Sequence, residues 1–521
     1  MTGQNFKVVV FSGGTATNSL TPCFTNIANI PGSEVTYVLP ISDNGGSTSE
    51  ILRILGGPAI GDIRSRIIRI MEDESLSKLF GYRLSDDPKK AKQEWNKLVE
   101  GSHLIWKEVP IEVKEMCRAF IIHIQAELLK KSKNSNSFQF EKASVGNMFM
   151  TGSRLFLGSL DASIELLMRI GRCNPNTFVI PCINTNHTHH ISALLTNGDV
   201  ITGQSQISHP SSHNSTTSST NTTTNNSSTS TIKRRPIRQA KKNDFLHIMN
   251  ESQTAVEVLK MMPSSSSSST SATVPTSSSS SSAAAATASA TVAIENKNLK
   301  IGKINTIEFD SMIEAERAEE QEFANPVYIL PELKNSQLHF NKIDDNNQLS
   351  APIKRILYIN PYGEEIKPMG NSRAISKLKN SNLIIYSVGS LMTSLMPIII
   401  LGNFADTIAT TDNAHKILII NNQYDRETSG IIGEDYIRIV IESMTNALID
   451  YRESKGLPID PMTIKWKSFI TDIIYLDKGE IQMDWDVIES YHNIKCHKIE
   501  SNLLENETLQ EVLEIIAQTN L

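Results

Sequence analysis

Between Ser208 and Ala293 lie two long stretches built almost entirely of small and polar residues, and they dictate how the rest of the chain must be organised. Ser208–Thr231 is nearly all Ser, Thr and Asn, and Pro263–Ala293 is Ser, Ala and Thr. Neither has the apolar surface needed to offset the entropy of ordering. The basic run Lys233–Lys242 between them reads as solvated loop charge, with an import signal or a phosphate-seeking patch as alternatives. Asp244–Met262 has the apolar spacing of a short amphipathic helix. The expected organisation is therefore 1–206 and 351–521 as two parts of one domain, separated by a mostly disordered insertion over 207–350.

The remainder is long enough for a large core, and a 521-residue chain fits two to four domains at roughly 150 residues each. The net charge of −6 with 20% charged residues argues against a nucleic-acid binder. Five widely spaced cysteines, Cys23, Cys117, Cys173, Cys182 and Cys496, include no C-x-x-C pair. They predict free, buried thiols in a reducing compartment rather than a disulfide framework or a zinc site. No long apolar leader follows Met1, so a cytoplasmic location is expected. The uncharged run Leu383–Ala405 is long enough to cross a bilayer, but Gly389, Ser390, Thr393, Ser394 and Pro397 interrupt it. It reads as a buried strand, turn and helix, with no membrane involved.

Outside the insertion, apolar strands alternate with helical patterns. Strands are expected at Lys7–Phe11, Val35–Pro40, Thr177–Ile183, Ile353–Ile359, Leu383–Val388, Lys416–Asn421 and Phe469–Leu476. Helices are expected at Asn18–Ile30, through much of 62–130 with a break at Asp86-Asp87-Pro88, and at Asn147–Ile170, Asn371–Lys379, Leu391–Gly402 and Tyr436–Tyr451. Asn197-Gly198 sits between two apolar alternations, His190–Leu195 and Val200–Gln206, and marks a hairpin. This pattern predicts an α/β fold: a doubly wound, mainly parallel sheet with helices on both faces. Such sheets bind ligands beyond the strand carboxyl ends.

Glycine-rich loops follow three of these strands, where backbone N–H groups and helix amino-termini favour phosphate. The first is Ser12-Gly13-Gly14-Thr15-Ala16, with neither a G-x-G-x-x-G nor a Walker sequence. The second, Ser42-Asp43-Asn44-Gly45-Gly46-Ser47-Thr48, joins one acid to a dense set of small donors. Asp43 there suits a divalent cation, a substrate hydroxyl or a base role, and Asn44 and Ser47 suit phosphate oxygens. Asp62, in Gly61-Asp62-Ile63-Arg64-Ser65-Arg66, reads as a helix N-cap or as a second metal-binding carboxylate, with Arg64 suited to a diphosphate. Ser144-Val145-Gly146-Asn147 adds an amide at another helix start.

FSGGTA, PISDNGGSTS, GDIRSR and SVGNMFMTG, in this order, resemble the CofD/YvcK family, and NGDVITGQSQI, INPYGEEI and YSVGSLMTSLMPIII continue the likeness. The resemblance covers about 1–206 and 351–435. It implies a Rossmann-like nucleotide-diphosphate site. In the transferase branch that site passes phospholactate from a guanylated donor to a deazaflavin with magnesium; in the other it serves a nucleotide-sugar-binding regulator of carbon metabolism. By motif, Gly13, Gly14, Thr15, Asp43, Asn44, Gly45, Gly46, Ser47, Asp62, Arg64 and Asn147 would line the site, with Gly389, Ser390 and Thr393 in a third loop. Asp43 and Asp62 would be the catalytic and Mg²⁺-binding carboxylates.

A CofD-like transferase is thus expected, its acceptor open, with a non-catalytic regulator as the rival. The partners expected are a nucleotide diphosphate or nucleotide sugar, a second copy of the chain, and proteins contacting the insertion. Where the family usually has G-G-T-G, S-D-N-G-G-S-T-G and G-P-G-S, this chain has Ala16, Ser49 and Ser387-Val388-Gly389-Ser390, changes that bear on substrate choice. His187-Thr188-His189-His190, with His209 and His213, reads as a strand entering the hairpin with some imidazoles exposed, rather than as a metal site.

Overall fold

Apolar runs uninterrupted by polar residues demand cover on both faces, and the chain meets that demand with a parallel sheet wrapped by helices. The computed structural model describes residues 5–14, 16–42, 45–131, 137–208, 348–360, 363–459 and 464–519. All of these fall in one folded unit. Seven strands are β1 (Lys7–Phe11), β2 (Glu34–Leu39), β3 (Thr177–Pro181), β8 (Leu383–Tyr386), β9 (His415–Ile419), β10 (Asp472–Leu476) and β11 (Lys495–Ile499). They pair in parallel in the order β11-β10-β9-β8-β1-β2-β3. Val8, Val9, Val10, Ile384, Ile385, Ile417 and Leu418 are all buried, as the sequence pattern requires.

The insertion interrupts the chain without interrupting this sheet. Before it the strands progress from β1 to β2 and β3, and after it from β8 outward to β11, so the direction reverses between β1 and β8. In open parallel sheets such a reversal is where a ligand crevice forms, beyond the carboxyl ends of the two strands. The insertion's residues 209–347, including Lys233–Lys242, Asp244–Met262, His209 and His213, lie outside the described residues.

Three expectations are corrected. Ile353–Ile359 does not join the parallel sheet. It is β6 of a separate four-stranded sheet ordered β5-β4-β6-β7, formed with β4 (His190–Leu195), β5 (Val200–Thr202) and β7 (Glu365–Ile366). Its partner β4 lies on the far side of the insertion, so local pattern could not reveal the pairing. The expected helix Asn147–Ile170 is two helices, Val145–Leu157 and Leu160–Ile170; Gly158 takes φ 72° and Ser159 caps the second. His189 and His190 are buried rather than exposed, and burial pulls both imidazoles down to about 4, which keeps them neutral. Elsewhere local chemistry is followed: Asp87 caps Pro88–Glu100, with Pro88 in the first turn.

Leu383–Ala405 is core, as expected: strand β8, a wide π-type turn at Leu391–Leu395, the short helix Met396–Ile399 and the start of Gly402–Thr410. Among the described residues no single helix is long and apolar enough to cross a membrane. The pair that is apolar enough when joined, Leu391–Ile399 and Gly402–Thr410, bends by 74° at its break. All five cysteines are free, and burial pushes each thiol up to about 12.

At the opposite, amino-terminal edge of the sheet, the buried carboxylate of Asp472 binds His415 Nδ1 and His497 Nε2, each at 2.8 Å, and accepts from Thr471 Oγ1 at 2.8 Å. Burial disfavours its charge, yet these hydrogen bonds outweigh burial and hold the carboxyl far below the usual carboxylate range. A depressed folded-state pKa stabilises fully above the unfolded value of about 4 and less as pH falls below it. Asp472→Asn is therefore expected to cost about 2 kcal/mol at neutral pH. The gap from wild type, read by denaturant melts, should narrow as pH falls below about 4. A gap that widens in acid contradicts the assignment.

Candidate functional site

Three helix amino-termini meet beside the crevice, and side-chain hydrogen bonds tie them together. Helix Gly46–Leu55 starts in the second glycine loop, Gly61–Ile70 follows it, and Val145–Leu157 arrives from further along the chain. Asn147 is the junction: its Nδ2 donates to Ser47 Oγ at 2.5 Å, and its Oδ1 accepts from Arg64 Nε at 3.1 Å. Ser144 caps the third helix and its Oγ lies 3.4 Å from Ser47 Oγ. Helix amino-termini carry partial positive charge, so their convergence suits an anion.

Arg64 adds full charge. Burial pulls its guanidinium down to about 10, the neighbouring Arg83 cation adds to that, and Asp62 partly offsets it. Asp62 is not the cap of its helix, whose N-cap is Ile60; it stands in the first turn with its carboxylate against the first glycine loop. A Cβ on Gly14 would lie 2.2 Å from Asp62 Oδ1, and one on Gly13 would lie 2.5 Å from Ser394 Oγ. Gly13 and Gly14 thus let the chain after β1 lie close against both the start of helix Gly61–Ile70 and Ser394 beyond the third loop.

The third loop faces the first across the reversal. Thr17 Oγ1 donates to Val388 O at 2.8 Å and to Ser387 Oγ at 3.1 Å. Gly389 takes φ 143°, which side-chain-bearing residues rarely adopt, and its backbone is held by Asn421 in both directions: Gly389 N to Oδ1 at 3.1 Å and Nδ2 to Gly389 O at 2.6 Å. Ala16 Cβ would be 3.8 Å from a Cβ at Gly389, so the added methyl in loop one faces the altered loop three.

Sequence reasoning missed Glu427 altogether. It sits 3% exposed and gathers the third loop: its Oε1 accepts from Thr393 Oγ1 at 2.8 Å, its Oε2 accepts from Thr393 N at 3.0 Å, and it also accepts from the hydroxyls of Ser390 and Ser208. Burial pushes its carboxyl up, and the nearby Asp425 adds to this. A single acid in a loop after β9 has no spacing signal that links it to Ser390. Ser390 and Thr393 are consequently spent on Glu427 as much as on any ligand.

Thr15, Asp43 and Asn44 lie outside the described residues. The remainder group as Gly13 and Gly14 with Asp62; Gly45, Gly46 and Ser47 with Asn147 and Arg64; and Gly389, Ser390 and Thr393 with Glu427. Two hydroxyls at the ends of β1 and β2, Ser12 Oγ and Ser42 Oγ, are buried with no hydrogen-bond partner among the described residues. Buried polar atoms left this way point to a missing partner. No group of three or more His, Cys, Asp or Glu able to hold a metal occurs among the described residues.

The family model described as 2-phospho-L-lactate transferase CofD matches residues 8–519. A Saccharomyces cerevisiae protein, YNL011C, is 54% identical over 515 residues, covering 99% of this chain and 100% of its own length. A Thermotoga maritima protein named as a gluconeogenesis factor is 37% identical over 81 residues, 15% of this chain and 25% of that protein. Among solved structures, protein BH3568 of Bacillus halodurans aligns with a TM-score of 0.49 at 12% identity, covering 98% of this chain and 100% of that one.

Proposed function

From the premise that this chain belongs to the 2-phospho-L-lactate transferase CofD family, we propose that it binds a nucleotide-diphosphate donor with Mg²⁺ and transfers a phosphoester-linked group to an acceptor hydroxyl. The observation that carries this is the convergence of three helix amino-termini, Arg64 and the Gly13-Gly14 loop beside the β1/β8 reversal. In such a transfer the acceptor oxygen bonds to phosphorus, the diphosphate linkage breaks, and a nucleoside monophosphate leaves. Catalysis of this kind is mostly positioning and neutralisation of charge.

Arg64 and the helix amino-termini hold the diphosphate oxygens. The buried hydroxyls of Ser12 and Ser42, which have no partner among the described residues, would add donors at the strand ends. Magnesium needs only one or two carboxylates when phosphates supply its other ligands. The chain fits that demand with Asp62 against Gly14, joined by Asp43 on motif grounds. Bound there, the ion would supply positive charge to the diphosphate. Asp43 or Asp62 would also accept the acceptor's proton. We place the protein in the cytoplasm, where its free thiols persist, and assign the insertion and a second copy of the chain as its protein contacts.

The rival, a regulator that binds a nucleotide sugar and returns it unchanged, is favoured by the match to a protein named as a gluconeogenesis factor. A thermal-shift panel of GDP, UDP, GTP, UDP-sugars and dinucleotides, with and without Mg²⁺, tests the shared premise. One diphosphate nucleotide at 100 times its Kd should add about 2.7 kcal/mol, dependent on Mg²⁺. Asp62→Asn and Asp43→Asn should each lose at least tenfold in affinity while folding normally. Flat curves throughout would overturn the site. Binding without release of monophosphate across a panel of hydroxyl acceptors would favour the regulator.

A further inference from the structure

Two arginines lie buried in the described structure near the glycine loops, and they are treated differently. Arg66 is 0% exposed, and its guanidinium donates to Thr21 Oγ1 at 2.8 Å, Thr17 O at 3.3 Å and Gly13 O at 3.4 Å while lying over the Tyr37 ring. Arg154 is 6% exposed, and its hydrogen bond is a single long one, Nη1 to Asn186 O at 3.4 Å. No carboxylate among the described residues pairs with it. A guanidinium has five donors and a full charge to satisfy; beyond that one long carbonyl contact the Arg154 donors have no protein partner among the described residues and are not sealed from solvent, which leaves them open to an added anion.

Its place in the fold gives the deficit a direction. Asn147 and Arg154 are seven residues apart on helix Val145–Leu157 and so share a face, about 10 Å apart along the axis. Asn147 meets the second loop, while Arg154 Nη2 lies 2.5 Å from where a Gly57 Cβ would stand, so only glycine leaves room for it. Gly57 is fixed in turn by Thr188 Oγ1, which donates to its carbonyl at 2.7 Å, and by Ala59 N, which donates to Ile41 O at 2.9 Å beside Ser42. Half-buried His187 completes the wall. Burial alone pulls the Arg154 guanidinium down to about 10, with no nearby acid offsetting it.

We propose that Arg154, walled by Gly57 and the His187-Thr188 segment, is a second anion subsite that takes the carboxylate or phosphate of a small acid, separate from the nucleotide's diphosphate. It deepens the proposed function and rests on it in one respect, that both subsites open into the same crevice. The acid would be carried by the transferred group or by the acceptor, within about 10 Å of the diphosphate.

The test uses the purified full-length chain and calorimetric titration with phosphoglycolate, a small acid carrying both groups, against its uncharged relative glycolamide. Wild type should bind phosphoglycolate at least tenfold more tightly than glycolamide. Arg154→Met should weaken phosphoglycolate binding at least tenfold, Arg154→Lys should recover part of the loss, and nucleotide-diphosphate affinity should stay within twofold in both. Equal phosphoglycolate binding in Arg154→Met overturns the subsite. So does an equal loss of nucleotide, which would make Arg154 part of the nucleotide site. If Arg154→Met does not fold, the wild-type preference for the charged probe and its weakening in Arg154→Lys decide the matter. Phosphoglycolate binding through Arg154 in a protein that binds no nucleotide sustains the subsite and overturns the nucleotide reading instead.

Discussion

Gly14→Ala is expected to reduce nucleotide-diphosphate affinity at least 100-fold. The new methyl would stand 2.2 Å from Asp62 Oδ1 and 2.8 Å from its Cγ, contacts that a side-chain rotation could relieve. It would also stand 2.9 Å from Asp62 Cα, and backbone cannot rotate away. The amino end of helix Gly61–Ile70 must therefore move, carrying Asp62 and Arg64 with it, at a cost of about 1–3 kcal/mol for overpacking. Gly81→Ala is the control: Gly81 ends helix Glu74–Gly81 with nothing within 4 Å of a built Cβ, and the change should leave stability and binding intact. Calorimetric titration and thermal melts of both variants check the claim. Undiminished binding by Gly14→Ala would show that the first loop does not meet the ligand.

Arg66→Met is expected to lower stability by about 3 kcal/mol, or roughly 6 °C in Tm. The side chain is fully buried, and its loss strands the Thr21 hydroxyl and the carbonyls of Thr17 and Gly13 without a donor. Removing an uncompensated buried cation relieves some desolvation, which is why the figure stays below the sum of its hydrogen bonds. Arg66→Lys should recover less than half, because an ammonium cannot fork to the same acceptors or stack on Tyr37. Since Gly13 O is one of those acceptors, nucleotide affinity should fall together with stability. Denaturant melts at neutral pH measure the first effect, and a Tm unchanged within 1 °C (about 0.5 kcal/mol) would refute it.

These two residues stand at opposite ends of what the sequence makes legible. Gly14 lies in a loop that its own neighbours advertise, between a strand of five residues and a helical segment, so its place in a glycine turn at a strand end is readable from FSGGTA alone. Arg66 reads as one more cation in GDIRSR, indistinguishable by pattern from Arg64. Only the packing of its helix against the sheet puts Arg66 over Tyr37 and leaves Arg64 beside Asn147. Arg154 left one faint sign, a lone charge in the otherwise uncharged helix VGNMFMTGSRLFL. Glu427 left none.

The end of the chain was harder to read. The edge strand Lys495–Ile499 carries lysines and histidine in place of an apolar run, and helices Trp485–His492 and Asn506–Gln518 fell outside the expected elements. An edge strand needs little apolar surface because one side lacks a neighbour, so the pattern that announces central strands is absent there.

By itself, then, the sequence determined the α/β class, the central strands and the glycine loops that follow them, because strand burial and turn geometry are set by residues close together in the chain. The tertiary structure alone decided that β4 pairs with β6 across the insertion, that Asn147 joins three helix starts, and that Glu427 and Arg154 are buried beside loops far from them in sequence. Those arrangements depend on which faces meet when the layers close. That is fixed by the fit of the whole core and carries no local periodicity.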